Sequence, residues 1–192
     1  MVRAAEELLE EVGPDRLTLR EAARRAGVSH AAPAHHFRDL TGLLSEVAAS
    51  GFEGLAGAIA SSAAAAHAAG EDELSATGRA YFAFALAHPG LFQLMFRSQV
   101  IDMSAPRLDA ASSAAFAAFA DAARASGEVG DEAGGDPLAR MATLVRNWAM
   151  VHGLAFLAID GRLAGMLPDG ATLAALTEAI LAPAPAKTPA GV

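Results

Sequence analysis

Apolar residues recur along this chain at spacings of three and four, from the first residues to about residue 181, and no alternating stretch of useful length interrupts them. Ala4, Ala5, Leu8 and Leu9 mark a first amphipathic helix that ends before Gly13. Leu19, Ala22, Ala23 and Ala26 mark a second. Leu43, Leu44, Val47, Phe52, Leu55 and Ile59 run along a much longer one, starting near Leu40 behind the cap Asp39 and reaching about His67. Gly70-Glu71-Asp72 breaks that helix. Further helices are expected over Glu73–Ala87, from Pro89 through PGLFQLMFRS, over Pro106–Ala125, from Asp136-Pro137 to about Leu163, and over Ala171–Leu181. The acidic, glycine-rich run Gly127–Asp136 reads as a mobile loop, and APAPAKTPAGV as a disordered tail. The expected class is all-α, with about nine helices once the segment Ser29–Phe37 is included.

The segment Thr18–Phe37, TLREAARRAGVSHAAPAHHF, has an organisation of its own. Thr18 can cap the first turn, and Glu21 three residues on can reach back to it, which is a capping box. Gly27 can end the helix in the left-handed conformation, and Ser29 can cap a second one. A cap, an alanine-rich helix, a glycine turn and a second cap are the parts of a helix-turn-helix.

Thr18-Leu19-Arg20-Glu21-Ala22-Ala23, Arg25-Ala26-Gly27-Val28-Ser29, His35-His36-Phe37 and Leu43-Leu44 together resemble the DNA-binding helix-turn-helix of the tetracycline-repressor (TetR) family. Ala4-Ala5 and Leu8-Leu9 before Gly13 match that family's first helix. The resemblance covers roughly the first 47 residues. It implies a three-helix head, residues 1–47, joined by a long fourth helix to an effector-binding and dimerisation body, residues 48–182, with the tail at 183–192. By the same resemblance Ser29, His30, Ala31 and His35 face the major groove or its rim. His36, Arg38 and Thr41 reach phosphates, Arg20 contacts the DNA backbone, and Thr18 caps its helix. The sequence departs from the family pattern at three places. Ala34 replaces an aromatic residue, Leu40 replaces a lysine, and Pro33 lies in the first turn of the recognition helix, where it deletes a backbone hydrogen bond.

Further along, Trp148 followed by His152-Gly153 resembles a Trp…His-Gly branch of the same family, and the aromatic stretch from Tyr81 to Phe96 is similar to it as well. The helix from 137 is apolar nearly all round, so it is expected to be covered on more than one side. The resemblance makes the last two helices, about 137–163 and 171–181, a four-helix dimer interface. Two recognition helices would then meet successive major grooves of a near-palindromic double-stranded operator. Spacing alone assigns Phe82, Phe92, Met95, Phe96, Trp148, His152 and Phe156 to a core. The resemblance makes the same cluster a candidate lining for a small apolar or amphipathic effector. His152 is more simply a histidine between helices satisfied by backbone or water.

Charge and composition narrow the picture. The net charge is −8, yet the segment Ser29–Arg38 holds three histidines and no acid. Residues 1–46 carry six arginines against eight carboxylates, four of them (Glu6, Glu7, Glu10, Glu11) on the first helix. The field at the recognition helix is thus expected to be mildly positive on a body that avoids DNA. Lys187 is the only lysine, and no cysteine is present, so neither a disulfide framework nor a thiolate site is available. The chain enters an acidic amphipathic helix at once rather than a secretion signal, and a cytoplasmic protein is expected. The uncharged runs Gly54–Gly70 and Ala80–Phe96 are too short or too interrupted to span a bilayer. His30, His35 and His36 lack the i, i+4 spacing of a helical metal site, so no metal is expected. GxSxG, HExxH, Walker and GxGxxG motifs are all missing, which leaves an enzyme and a bound cofactor without support. The expected function is a dimeric, ligand-responsive repressor. The alternative is a ligand-binding or interaction protein that has kept the fold and lost affinity for DNA.

Overall fold

A computed structural model describes residues 1–28, 37, 39–129 and 136–182. Its helices begin where short polar side chains or prolines satisfy or remove the free amides of a first turn. Thr18 Oγ1 accepts from the Glu21 amide at 3.2 Å, opening α2 (Leu19–Arg25) behind α1 (Val2–Val12) and a 3₁₀ turn at Pro14–Arg16. Asp39 accepts from the Gly42 amide at 2.9 Å and opens α3 (Leu40–Ala69). Asp72 accepts from Ser75 at the start of α4 (Glu73–Ala87), and Pro89 and Pro106 begin α5 (Pro89–Met95) and α6 (Pro106–Ala125). Asp136 caps α7 (Pro137–Ile159), and Thr172 caps α8 (Leu173–Leu181). The described residues form eight α-helices and contain no strand. The ninth element expected from sequence, the recognition helix, lies outside them. So do the expected mobile loop, apart from Gly127–Val129 and Asp136, and the expected disordered tail.

Three local expectations change. Glu21 does not reach back to complete the capping box; its carboxylate turns to Arg24, one turn on, where a full charge replaces a neutral amide. The helix expected to reach Leu163 stops at Ile159. Gly161, at φ 69°, takes the left-handed conformation, and the Arg162 amide donates to the Leu157 carbonyl at 2.9 Å, closing a Schellman end. The last helix starts at Leu173, because Thr172 is its cap.

α3 is the axis of the molecule. Thirty residues at about 1.5 Å per residue give it a length of about 45 Å. Its buried face runs from Leu43 to Ile59, so one helix serves both ends. α1 packs on its first turns and carries α2, while α6 and α4 pack along the rest. α7 and α8 lie against α4. Arg107 of α6 donates to both carboxylate oxygens of Glu53 (2.9 and 2.7 Å) and to Glu46 (2.8 Å), pinning α6 to α3.

By length and composition α3 and α7 could each cross a membrane, although Glu46 and Glu53 in one and Arg140 and Arg146 in the other interrupt their uncharged runs. For α3 the apolar stretch is core, with 56% of its apolar window buried. α7 buries only 22% of its window, leaving Leu138, Met141, Val145, Met150 and Leu157 exposed.

Candidate DNA-binding head and ligand cavity

The head is assembled from small residues. Ala5, Ala22, Ala23 and Ala48 are fully buried and allow α1, α2 and α3 to approach closely around Leu8, Leu9, Leu17, Leu43 and Val47. α2 ends as the helix-turn-helix requires. Gly27 sits at φ 68°, and the Val28 amide donates back to the Ala23 carbonyl at 3.1 Å.

Of the residues expected to meet DNA, three are described. Thr18 is the cap of α2, Thr41 is exposed on the first turn of α3, and Arg20 is exposed with no ion-pair partner among the described residues. Ser29, His30, Ala31, His35, His36 and Arg38 lie outside the described residues, as do Pro33 and Ala34. The neighbouring cations are engaged. Arg25 makes a two-pronged bond to Glu11 of α1, 2.6 Å on each side, and Arg24 pairs with Glu21. Those bonds hold both carboxyls below their ordinary range and raise both guanidinium groups. The acids of α1 thus act as ties. Glu11 fastens α1 to α2, and Glu10 reaches the body, accepting from the Gly90 and Leu91 amides (3.0 and 3.1 Å) at the start of α5. Gly90 permits this approach, since a Cβ there would lie 2.5 Å from the Leu9 carbonyl oxygen. Arg97 to Asp15 at 2.7 Å, and the Asp102 amide to Ser45 Oγ at 2.8 Å, add two more ties between head and body.

The body encloses a cavity of about 290 Å³ between α3, α4, α5, α6 and α7. Phe52, Leu55 and Ile59 of α3 form one wall, joined by Tyr81, Met95, Phe96 and Trp148; the Phe52 and Phe96 rings meet edge to face at 5.4 Å. α6 contributes a stripe of Ser112, Ala115, Phe116 and Phe119, and Ser98 and Met103 stand at the rim. Of the residues expected around an effector, Met95, Phe96 and Trp148 are on this wall. Phe82, Phe92, His152 and Phe156 are not. Phe92 is fully buried in the core and Phe82 nearly so, because α4 and α5 turn those positions inward. His152 and Phe156 pack behind the wall: the His152 ring lies 4.4 Å from that of Phe96 and 4.8 Å from that of Phe156.

One hydrogen-bonded group backs the cavity. Tyr81 Oη lies 2.8 Å from His152 Nδ1, and Trp148 Nε1 donates to the same oxygen at 3.3 Å. Burial lowers the imidazole's proton affinity and raises that of the phenol, so both stay neutral near pH 7. The sequence predicts a His152 satisfied by backbone or water, whereas the partner in the structure is the Tyr81 hydroxyl, which only the packing of α4 against α7 brings within reach. The α3 and α6 wall was missed as well. Its one available signal was the 112, 115, 116, 119 stripe, small residues beside large rings on a single helix face.

Residues 1–47 match the family described as bacterial regulatory proteins, tetR family, and residues 74–182 match the tetracyclin repressor-like C-terminal domain. A protein of unknown function from Rhodococcus sp. RHA1 is similar over 94% of this chain and 91% of its own, at 36% identity and a TM-score of 0.67. The candidate regulatory protein SCO4313 is 25% identical over 94% of this chain and 90% of its own, with a TM-score of 0.68. The TetR family transcriptional regulator PfmR from Thermus thermophilus shares the fold, at 18% identity, 94% and 96% coverage and a TM-score of 0.59. No functionally curated protein matches the chain. The chain belongs to the TetR family of transcriptional regulators, with an N-terminal helix-turn-helix of the DNA-binding type.

Proposed function

We propose that this regulator binds a near-palindromic operator as a homodimer and is released from it when a small molecule enters the body cavity. Residues 1–47 would be the reading head and 48–182 the effector and dimer body. The observation that carries this reading is the double use of α5. Its C-terminal residue Met95 lines the cavity, while its first amides are held by Glu10 of the head. A molecule that displaces Met95 therefore pulls on the head through a helix of seven residues. It acts only by its difference in affinity between the head spacing that fits the operator and one that does not.

The exposed apolar face of α7 supports pairing with a second copy. Leu138 is 74% and Met141 49% exposed, a cost that a self-complementary interface would remove. α8 would complete the bundle, as the family resemblance implies. In the head, Arg20, Arg38, His36 and Thr41 would contact phosphates, with Ser29, His30, Ala31 and His35 at the base edges. Such a regulator acts where the DNA is, in the cytoplasm.

An electrophoretic shift with the DNA upstream of the chain's own gene tests the proposal. Binding should weaken with salt with a log–log slope of about −4 to −6, as expected if roughly two or three phosphates are neutralised per subunit. Arg38→Ala should weaken all operator variants alike. A slope of zero would sink DNA binding and favour the second reading, a fold-retaining ligand-binding protein. That reading draws on the engagement of Arg24 and Arg25 by Glu21 and Glu11, which leaves fewer cations for phosphate.

A further inference from the structure

The wall of the body cavity discriminates sharply by charge. Among its described lining residues there is no Asp, Glu, Lys, Arg or His. Two cations of the elements around it are committed elsewhere: Arg97, between Phe96 and Ser98, pairs with Asp15, and Arg107 of α6 pairs with Glu46 and Glu53. The polar atoms are few and mostly satisfied. Ser98 is exposed at the rim, and Ser112 Oγ donates to the Asp109 carbonyl at 3.1 Å. Deeper in the wall, Tyr81 is 3% exposed and carries the one hydroxyl backed by a relay, to His152 and Trp148. With Trp148 donating to it, that oxygen keeps one lone pair when its proton goes to His152. When the imidazole donates instead, the phenol proton itself is free. Either way a single neutral hydrogen bond is available, and no counter-ion is.

We infer that the effector is an uncharged, predominantly apolar molecule with a flat ring system and one hydroxyl, amide or carbonyl group that meets Tyr81. This rests on the reading of the cavity as the effector site. A carboxylate or ammonium would lose its hydration against Phe52, Phe96, Phe116 and Trp148 without gaining a partner. Rings suit the site because six of its thirteen lining residues are aromatic, and stacked or edge contacts reward flat partners. The volume, about 290 Å³, sits at the small end of the range for compact drug-sized ligands, which limits the body to about two rings.

Trp148 is the only tryptophan in the chain, so its fluorescence reports on this wall alone. Three probes sharing one biphenyl body separate the possibilities: 4-biphenylmethanol, biphenyl-4-carboxylate and 4-biphenylmethylammonium. The full chain is titrated with each, following Trp148 quenching and the thermal midpoint. The alcohol should quench and stabilise, with an affinity at least roughly a hundredfold above either ion. Tyr81→Phe should narrow the preference for the alcohol over 4-methylbiphenyl by roughly fivefold to tenfold. Ala115→Leu, which extends a side chain into the cavity, should weaken both neutral probes. If an ion binds as tightly as the alcohol, the ligand class is wrong and the cavity reading stands. Should none of the probes disturb Trp148, the cavity is not an effector site, and this inference falls with the reading it rests on. An unchanged alcohol preference in Tyr81→Phe would remove Tyr81 as the polar handle.

Discussion

Head and body share one continuous core but fill it with different residues. In the head, α1, α2 and α3 meet over alanines, with Ala5, Ala22, Ala23 and Ala48 fully buried. Backbones that approach over methyl groups leave little space and little freedom to shift. In the body the same long helix contributes Phe52 to a cluster with Tyr81, Phe92, Phe96, Phe119 and Trp148, and a cavity of about 290 Å³ lies against these rings. The head suits a part that must hold a fixed shape against DNA. Under the proposed function, the body suits a part that responds to what it holds. Glu10 on the amides of α5, Arg97 on Asp15 and Ser45 on Asp102 are the few polar ties through which one could inform the other.

The contrast can be broken at graded strength. Phe92→Ala removes a fully buried ring from behind the cavity wall, and should cost about 3–5 kcal/mol in denaturant unfolding. A much smaller loss would mean that Phe92 faces usable space, as the effector reading of the sequence had it. Gly90→Ala attacks the joint instead. Its Cβ would meet the Leu9 carbonyl oxygen at 2.5 Å, so a loss of about 2–3 kcal/mol and weaker operator binding are expected. If stability is unaffected, head and body are not held as tightly as the contact implies.

Glu10→Ala leaves the α5 amides without their carboxylate, and about 1 kcal/mol should be lost. Its sharper readout is coupling: ligand should still bind, measured by Trp148 quenching, but should release DNA less effectively. Unaltered release would show that the signal runs elsewhere.

The smallest effect is one of pH. Burial lowers the proton affinity of His152 below the usual value of 6.5. Between those two values the unfolded chain binds more protons than the native one, so this contribution to stability is lost as pH falls through the window and is steady above it. The thermal midpoint of the wild type should therefore drop more on going from about pH 7 to about pH 5 than that of His152→Gln. Parallel drops would mean that the imidazole is not held neutral beside Tyr81.

Much of this organisation was legible in the chain. Thr18, Asp39 and Asp136 start helices, and Gly27 stops one, through hydrogen bonds that span only a few residues. The Asp136-Pro137 pair and the helix Pro106–Ala125 were equally plain. The end of α7 was misplaced by four residues, from Leu163 to Ile159, because the apolar pattern continues past Gly161 although the backbone does not. The sequence shows the four acids of α1 only as a cluster of charge, whereas Glu10 and Glu11 are structural ties. The effector cluster was legible as a group of aromatic residues but not as a surface.

The sequence by itself determined the helical class, the order of the elements and the helix-turn-helix scaffold. Caps, glycine turns and periodicity act within a turn or two of the chain, and no distant residue can easily override them. Only the tertiary structure decided that Phe92 is core while Phe116 is wall, that Tyr81 is the partner of His152, and that Glu10 belongs to α5. Each of these depends on how far one helix is rotated and slid against another, and a rotation of a fraction of a turn exchanges a buried ring for a cavity-facing one.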